Sequence, residues 1–202
     1  MRRTRKDVIT EFRTGEILAA AHAVFARKGF QKATISDVAR AAGVAKGTVY
    51  LYYPSKRAVY WAAFRRDLIA LRDRTHAAMA AASDIRGVIA AFVRTKVGYF
   101  DEHRDFMRIY FSEFGVAAVG QGELQRHFDD LYHDQIERLT AAFVDATARG
   151  AIRDLPAATL AAAVFDLTRG VIRGRMLGLS RGSADDDAAM VVDLVWRGIG
   201  KK

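Results

Sequence analysis

The stretch Thr34 to Lys56, T-I-S-D-V-A-R-A-A-G-V-A-K-G-T-V-Y-L-Y-Y-P-S-K, constrains the fold of this chain more than any other. Ile35, Val38, Ala39 and Ala42 recur at i, i+3, i+4 and i+7, which lays an apolar stripe along a helix that Thr34 or Ser36 can cap. Gly43 predicts the end of that helix, because glycine takes the left-handed conformation that closes a helix terminus, and Val44 can plug the corner behind it. In the short helix that follows, Val49 is the inward residue and Pro54 the stop. Lys46, Gly47, Thr48, Tyr50, Leu51 and Tyr52 are left on an outer surface without acidic side chains. A small residue, glycine four later and a β-branched residue six after that suit two helices crossing steeply through a tight turn. This spacing fits an αα-corner in any helical protein; it also fits a unit whose second helix enters a DNA major groove.

The rest of the chain supports a helical protein with a polyanionic partner. Its 202 residues are 51% hydrophobic, enough for one large or two small domains. A formal net charge of +9 points to nucleic acid or an anionic membrane surface, although solvated arginine faces produce the same balance. The absence of cysteine excludes disulfide scaffolds, zinc ribbons and thiol nucleophiles, and is compatible with a reducing cytoplasm. No secretory pattern follows the basic residues 1–6, and no run approaches the roughly 18 apolar residues of a membrane span, so no membrane association is expected.

Taken in order, M-R-R-T-R-K predicts a loosely held basic arm, suited to phosphates or a minor groove. A helix from about Thr10 to Lys28 carries Ile17, Leu18, Ala21, Val24 and Phe25 on one face, and Gly29 and Phe30 end it. After the helix pair, a long helix is expected over 55–82, spanning roughly 40 Å and connecting the two lobes. Ile85 to Phe100 forms another apolar stripe, the polar run Asp101 to Asp105 interrupts it, and Phe106, Ile109, Tyr110 and Phe114 share the next one. Residues 115–122 read as a loop, Glu123 to Arg149 as a long amphipathic helix, and Pro156 to Leu179 as a helix with Gly170, Gly174 and Gly178 spaced four apart. Each glycine lowers helix propensity by about 1 kcal/mol relative to alanine, which calls for close approach by another helix. Ala184 to Ile199 closes the chain, with Asp185 to Asp187 in its first turn.

The string A-G-V-A-K-G-T-V-Y-L-Y-Y-P-S-K-R-A-V resembles the DNA-binding signature of the TetR family of bacterial transcriptional regulators, and the resemblance runs from about Ile9 to about Phe64. It implies an all-α fold of about nine helices: a helix-turn-helix domain over 1–54, the connecting helix 55–82, and an effector-binding and dimerisation domain within 55–202. Lys46, Gly47, Thr48, Tyr50, Leu51 and Tyr52 match recognition-helix positions, while Thr34 and Lys56 match positions that hold phosphates on either flank. The first helix would brace the helix pair from behind. A homodimer on a palindromic double-stranded operator is implied, joined by the last two helices through Gly170, Gly174, Gly178, Val191, Leu194 and Val195. Also implied is a small hydrophobic or amphipathic effector, for which Phe92, Phe106, Tyr110, Phe114, Phe165 and Arg169 are candidate contacts. The expected function is a cytoplasmic repressor relieved by that ligand.

Other classes remain open on the residues alone: a helical ligand-binding protein or enzyme retaining only the fold, and a nonspecific DNA-coating protein. No enzyme is expected. His127 and Asp130, and Asp129 and His133, stand at helical metal-ligand spacing, but no third ligand is set, so neither metal nor cofactor is expected. Gly120 and Gly122 lack the strand and helix that a phosphate loop requires.

Overall fold

The computed structural model describes residues 4–109 and 123–200, with the side chains of residue 6 and of 123–129 left undescribed. Within these residues there are nine helices: α1 Arg5–Lys32, α2 Ile35–Ala41, α3 Lys46–Tyr52, α4 Lys56–Ala80, α5 Ile85–Glu102, α6 Arg104–Ile109, α7 Glu123–Ala148, α8 Ala157–Met176 and α9 Ala184–Ile199. The only β pairing among them is one isolated bridge, Ile152 with Gly200. No described helix is long and apolar enough to cross a membrane.

Two differences from the sequence expectation have local causes. The helix predicted from Thr10 begins at Arg5, because Thr4 and Asp7 form a capping box in which each side chain accepts from the other's backbone N–H. The glycine-rich helix predicted to reach Leu179 stops at Met176. Gly178, with φ of 73°, follows it as the closing residue, and the N–H groups of Gly178 and Leu179 donate to Arg175 and Gly174 carbonyls. Gly178 therefore ends the helix and is not part of its packing edge.

The chain divides into two compact units, Met1–Leu68 with Asp105–Gly115 and Ile69–Arg104 with Val116–Lys202, so α4 passes from one to the other between Leu68 and Ile69. In the first unit Tyr60 is fully buried among Phe25, Phe30, Trp61, Phe64 and Phe106, with ring centroids 5.1 to 5.9 Å away. Edge-on and offset rings of this kind add to simple area burial. His22 of α1 stacks on Phe106 of α6 at 4.3 Å and meets the buried Asp67 carboxylate of α4 at 2.5 Å, so three elements are tied at one point.

In the second unit α5 packs on α8 and α9, and α7 on α8 and α5. Ile89, Phe92, Val93, Val97, Leu139, Phe143, Val164 and Ile172 fill the core. Arg175 closes one end: its guanidinium donates to Asp101 at 2.7 Å, to Asp187 at 2.5 Å and to the Gly182 carbonyl at 3.0 Å. Val191 and Val195, expected at a chain–chain interface, are instead 1% and 6% exposed in the core of their own chain. Met190 and Leu194 are the exposed apolar side chains of α9, and Leu167 and Leu177 are exposed at α8 and its cap.

Candidate nucleic-acid interface

The α2–turn–α3 unit is built as its sequence pattern requires. Ile35, Val38, Ala39 and Val49 are buried. Gly43 closes α2 with φ of 65°, and the N–H groups of Gly43 and Val44 donate to the carbonyls of Arg40 and Ala39. A side chain in this backbone conformation is strained, which is why the turn needs glycine.

Thr34 opens α2 through a second capping box. Its hydroxyl accepts from the Asp37 N–H at 3.1 Å and donates to the Asp37 carboxylate at 2.9 Å. Lys28 of α1 donates to the other carboxylate oxygen at 2.7 Å, and this contact, with the threonine hydrogen bonds, lowers the Asp37 pKa to about 2. The Thr34 hydroxyl, expected at a phosphate, is thus engaged within the cap. Lys28 and Asp37 pin the end of the bracing helix to the start of α2; the T-x-x-D spacing signals the capping box but not this ion pair.

Lys56, the other expected phosphate residue, directs its ammonium inward. It donates to the carbonyls of Phe30, Gln31 and Ala33 at 2.8, 3.3 and 3.1 Å and lies 4.5 Å from the Phe30 ring centroid. These carbonyls belong to the short terminal turn and cap that follow Gly29, where φ of 72° and ψ of 165° interrupt α1, and the ammonium holds that turn through hydrogen bonds. Lys56 locks α4 against α1 and so positions the helix pair that lies between them in sequence.

The surface left by this bracing is α3. Lys46 and Gly47 are exposed, Tyr50 is 46% and Leu51 82% exposed, and Thr48 and Tyr52 are half-buried at the edges. The Lys46 ammonium lies 6.0 Å from the Tyr50 ring. A Cβ placed on Gly47 would meet nothing within 4 Å, so the space beside Leu51 is open. Chemically the face offers one cation, hydroxyl donors and acceptors, an exposed methyl-bearing side chain and no acid. Phosphates and base edges are ligands of matching character.

Of the expected effector contacts, Phe106 is buried in the first unit's aromatic core, whereas Phe92 and Phe165 lie 6.1 Å apart in the second unit. Arg169 is mostly exposed and pairs with Asp166 at 3.2 Å. Tyr110 and Phe114 lie outside the described residues, as do Gly120 and Gly122 and the side chains of His127 and Asp129.

What sequence reasoning missed in the second unit is Lys96. It is 5% exposed on the apolar stripe of α5, at helical spacing from Ile89, Phe92 and Val93. Its ammonium donates to Gln135 Oε1 at 2.6 Å and stands 3.9 and 4.8 Å from the Phe165 and Phe92 ring centroids. It forms no ion pair with any described residue. Burial pushes its pKa down to about 7, with a smaller push from the like charge of Arg169. Beside Gln135, Asp134 faces His76 at 3.2 Å without hydrogen-bond geometry, and burial lowers the His76 pKa. No group of three metal-ligand side chains occurs among the described residues.

Comparison with known proteins places this arrangement. Residues 17–63 match the model of bacterial regulatory proteins of the tetR family. YvdT, an HTH-type transcriptional regulator of Bacillus subtilis, is 31% identical over 124 residues, covering 61% of this chain and 63% of YvdT. The transcriptional repressor KstR2 of Rhodococcus jostii is 27% identical over 130 residues, 62% of this chain and 64% of KstR2. In both cases the match spans less than two thirds of the relative. FadR from Bacillus subtilis, solved in complex with stearoyl-CoA, superposes with a TM-score of 0.72 over 90% of this chain and 96% of FadR at 17% identity, a likeness of fold.

Proposed function

Because this chain belongs to the TetR family of bacterial regulatory proteins, we propose that it is a sequence-specific DNA-binding repressor whose operator binding is relieved by a small hydrophobic or amphipathic ligand. The observation that carries this reading is α3, a braced, acid-free helix with Lys46, Tyr50 and Leu51 turned to solvent. Its seven residues span about two turns, too few to specify a long site, so specificity requires two copies on a palindrome. The exposed Leu167, Met190 and Leu194, with Gly170 and Gly174 whose added Cβ atoms would meet nothing within 4 Å among the described residues, support a homodimer through α8 and α9. The named repressor activity of KstR2 and the acyl-CoA bound to FadR support repression and an amphipathic effector. Such a protein acts in the cytoplasm, where the operator is, and needs no catalytic group.

In the mechanism, a ligand that favours one arrangement of the dimer moves the two α3 helices away from the roughly 34 Å half-site separation of a duplex. A coupling of about 1 to 3 kcal/mol is sufficient. Selecting genomic fragments bound by the purified protein tests the proposal. Recovery of a shared palindrome supports it, and recovery of fragments without any common sequence contradicts it.

A further inference from the structure

We propose that Lys96 and Gln135 form the head-group subsite of the sensory lobe and that the effector carries a carboxylate. This rests on the reading of the second unit as effector-binding and names the chemical class it takes.

A buried amine needs a reason, because the desolvation of a lysine is offset in most proteins by a carboxylate partner. Among the described residues Lys96 has a neutral amide oxygen and two ring faces and no carboxylate. The like charge of Arg169 acts on it as well. The acceptor is built in: Gln135 Nε2 donates to the Leu131 carbonyl of its own helix at 3.0 Å, which fixes the amide so that its oxygen faces the amine. An ammonium has three N–H donors, and Gln135 takes one. Phe165 and Phe92 shield the remainder from water, and the half-exposed Tyr132 meets Phe165 edge-on at 4.7 Å. An anion that reaches the amine gains a desolvated cation, held in place by Gln135, with two further N–H donors that no described acceptor takes. A cation meets like charge there, and a neutral amide gains only ordinary hydrogen bonds. The rings beside the amine suit an apolar body attached to the carboxylate.

The test uses the full-length protein with octanoate, decanoate and 3-phenylpropionate, each beside its primary amide, in calorimetric titrations and in an operator-release assay. The carboxylates are expected to bind at least about tenfold more tightly than the amides, since hydrogen bonds to a charged group are the stronger kind. Lys96→Met should abolish that preference, and Lys96→Arg should retain it. Lys96→Met keeps the side chain's length and removes a buried charge, so it is expected to fold, and thermal unfolding checks this. Equal binding of carboxylates and amides, no binding of any carboxylate, or a preference that survives in Lys96→Met would overturn the subsite. Carboxylate binding that leaves operator binding unchanged would uphold the subsite and sink the effector-relief reading. Operator release by amides alone would do the reverse.

Discussion

Leu51 is 82% exposed beside the open space at Gly47, so burial among the described residues does not account for an apolar side chain on a recognition surface. A thymine methyl is the base-edge group that matches it. Replacing the contacted thymine by deoxyuridine removes that methyl and is expected to weaken operator binding by about tenfold, near the cost of one mismatched pair. Leu51→Ala should lose the same amount and become indifferent to the replacement, as read by fluorescence anisotropy; additive losses would place the methyl elsewhere. Lys56 makes three carbonyl hydrogen bonds, so Lys56→Met should destabilise the protein by about 1 to 3 kcal/mol in urea unfolding. The salt dependence of DNA binding should stay unchanged, because the ammonium neutralises no phosphate; a slope flattened by about one would show that it does. Lys96 adds a pH test. Its folded pKa near 7 lies below the unfolded value of 10.5, so between these values the unfolded chain holds the extra proton and stability rises with pH. Lys96→Met should lack that rise, a difference of roughly a few kcal/mol across the window, read from urea unfolding at pH 7 and pH 10.

Much of the helical structure was legible in the sequence, and the rest escaped it for two reasons, local capping chemistry and tertiary partners. The α2–Gly43–α3 unit could be read because its periodicity, glycine and proline all act locally. The early start of α1 was hidden by attention to apolar spacing: the polar T-x-x-D box at Thr4 and Asp7 sets the boundary, and the same box recurs at Thr34 and at Ser183. Gly178 was grouped with Gly170 and Gly174 by spacing, although a glycine two residues beyond a helix end serves the terminus. Which face of α9 turns inward depends on α5, a tertiary partner that one helix's pattern does not identify, and so Val191 and Val195 went to the core while Leu194 stayed outside. A lysine on an apolar stripe can snorkel to water or be buried, and only tertiary packing decides between the two at Lys96. The open surroundings of Gly174 give a direct test of the proposed dimer face. Gly174→Leu should leave the monomer folded, because a Cβ there meets nothing within 4 Å among the described residues, yet shift sedimentation velocity from dimer to monomer. An unchanged dimer would remove α8 from the interface.

The whole molecule combines a braced helix-turn-helix, a second helical unit with a buried amine, and an exposed small-residue face on α8. α4 belongs to both units, with Lys56 fixing one end against α1 and the other end running through Ile69 to Ala80. His22 and Asp67 add a contact just before the point where α4 leaves the first unit. The central claim is that these parts serve specific recognition of duplex DNA. It is tested most directly by measuring, at physiological salt, the affinity of the purified protein for the palindrome selected from genomic fragments against a scrambled duplex of equal length. The account predicts a preference of at least about 10³-fold, the lower range for specific regulators. Equal affinity for the two duplexes, falling in parallel as salt is raised, would contradict it and identify a nonspecific basic DNA-coating protein.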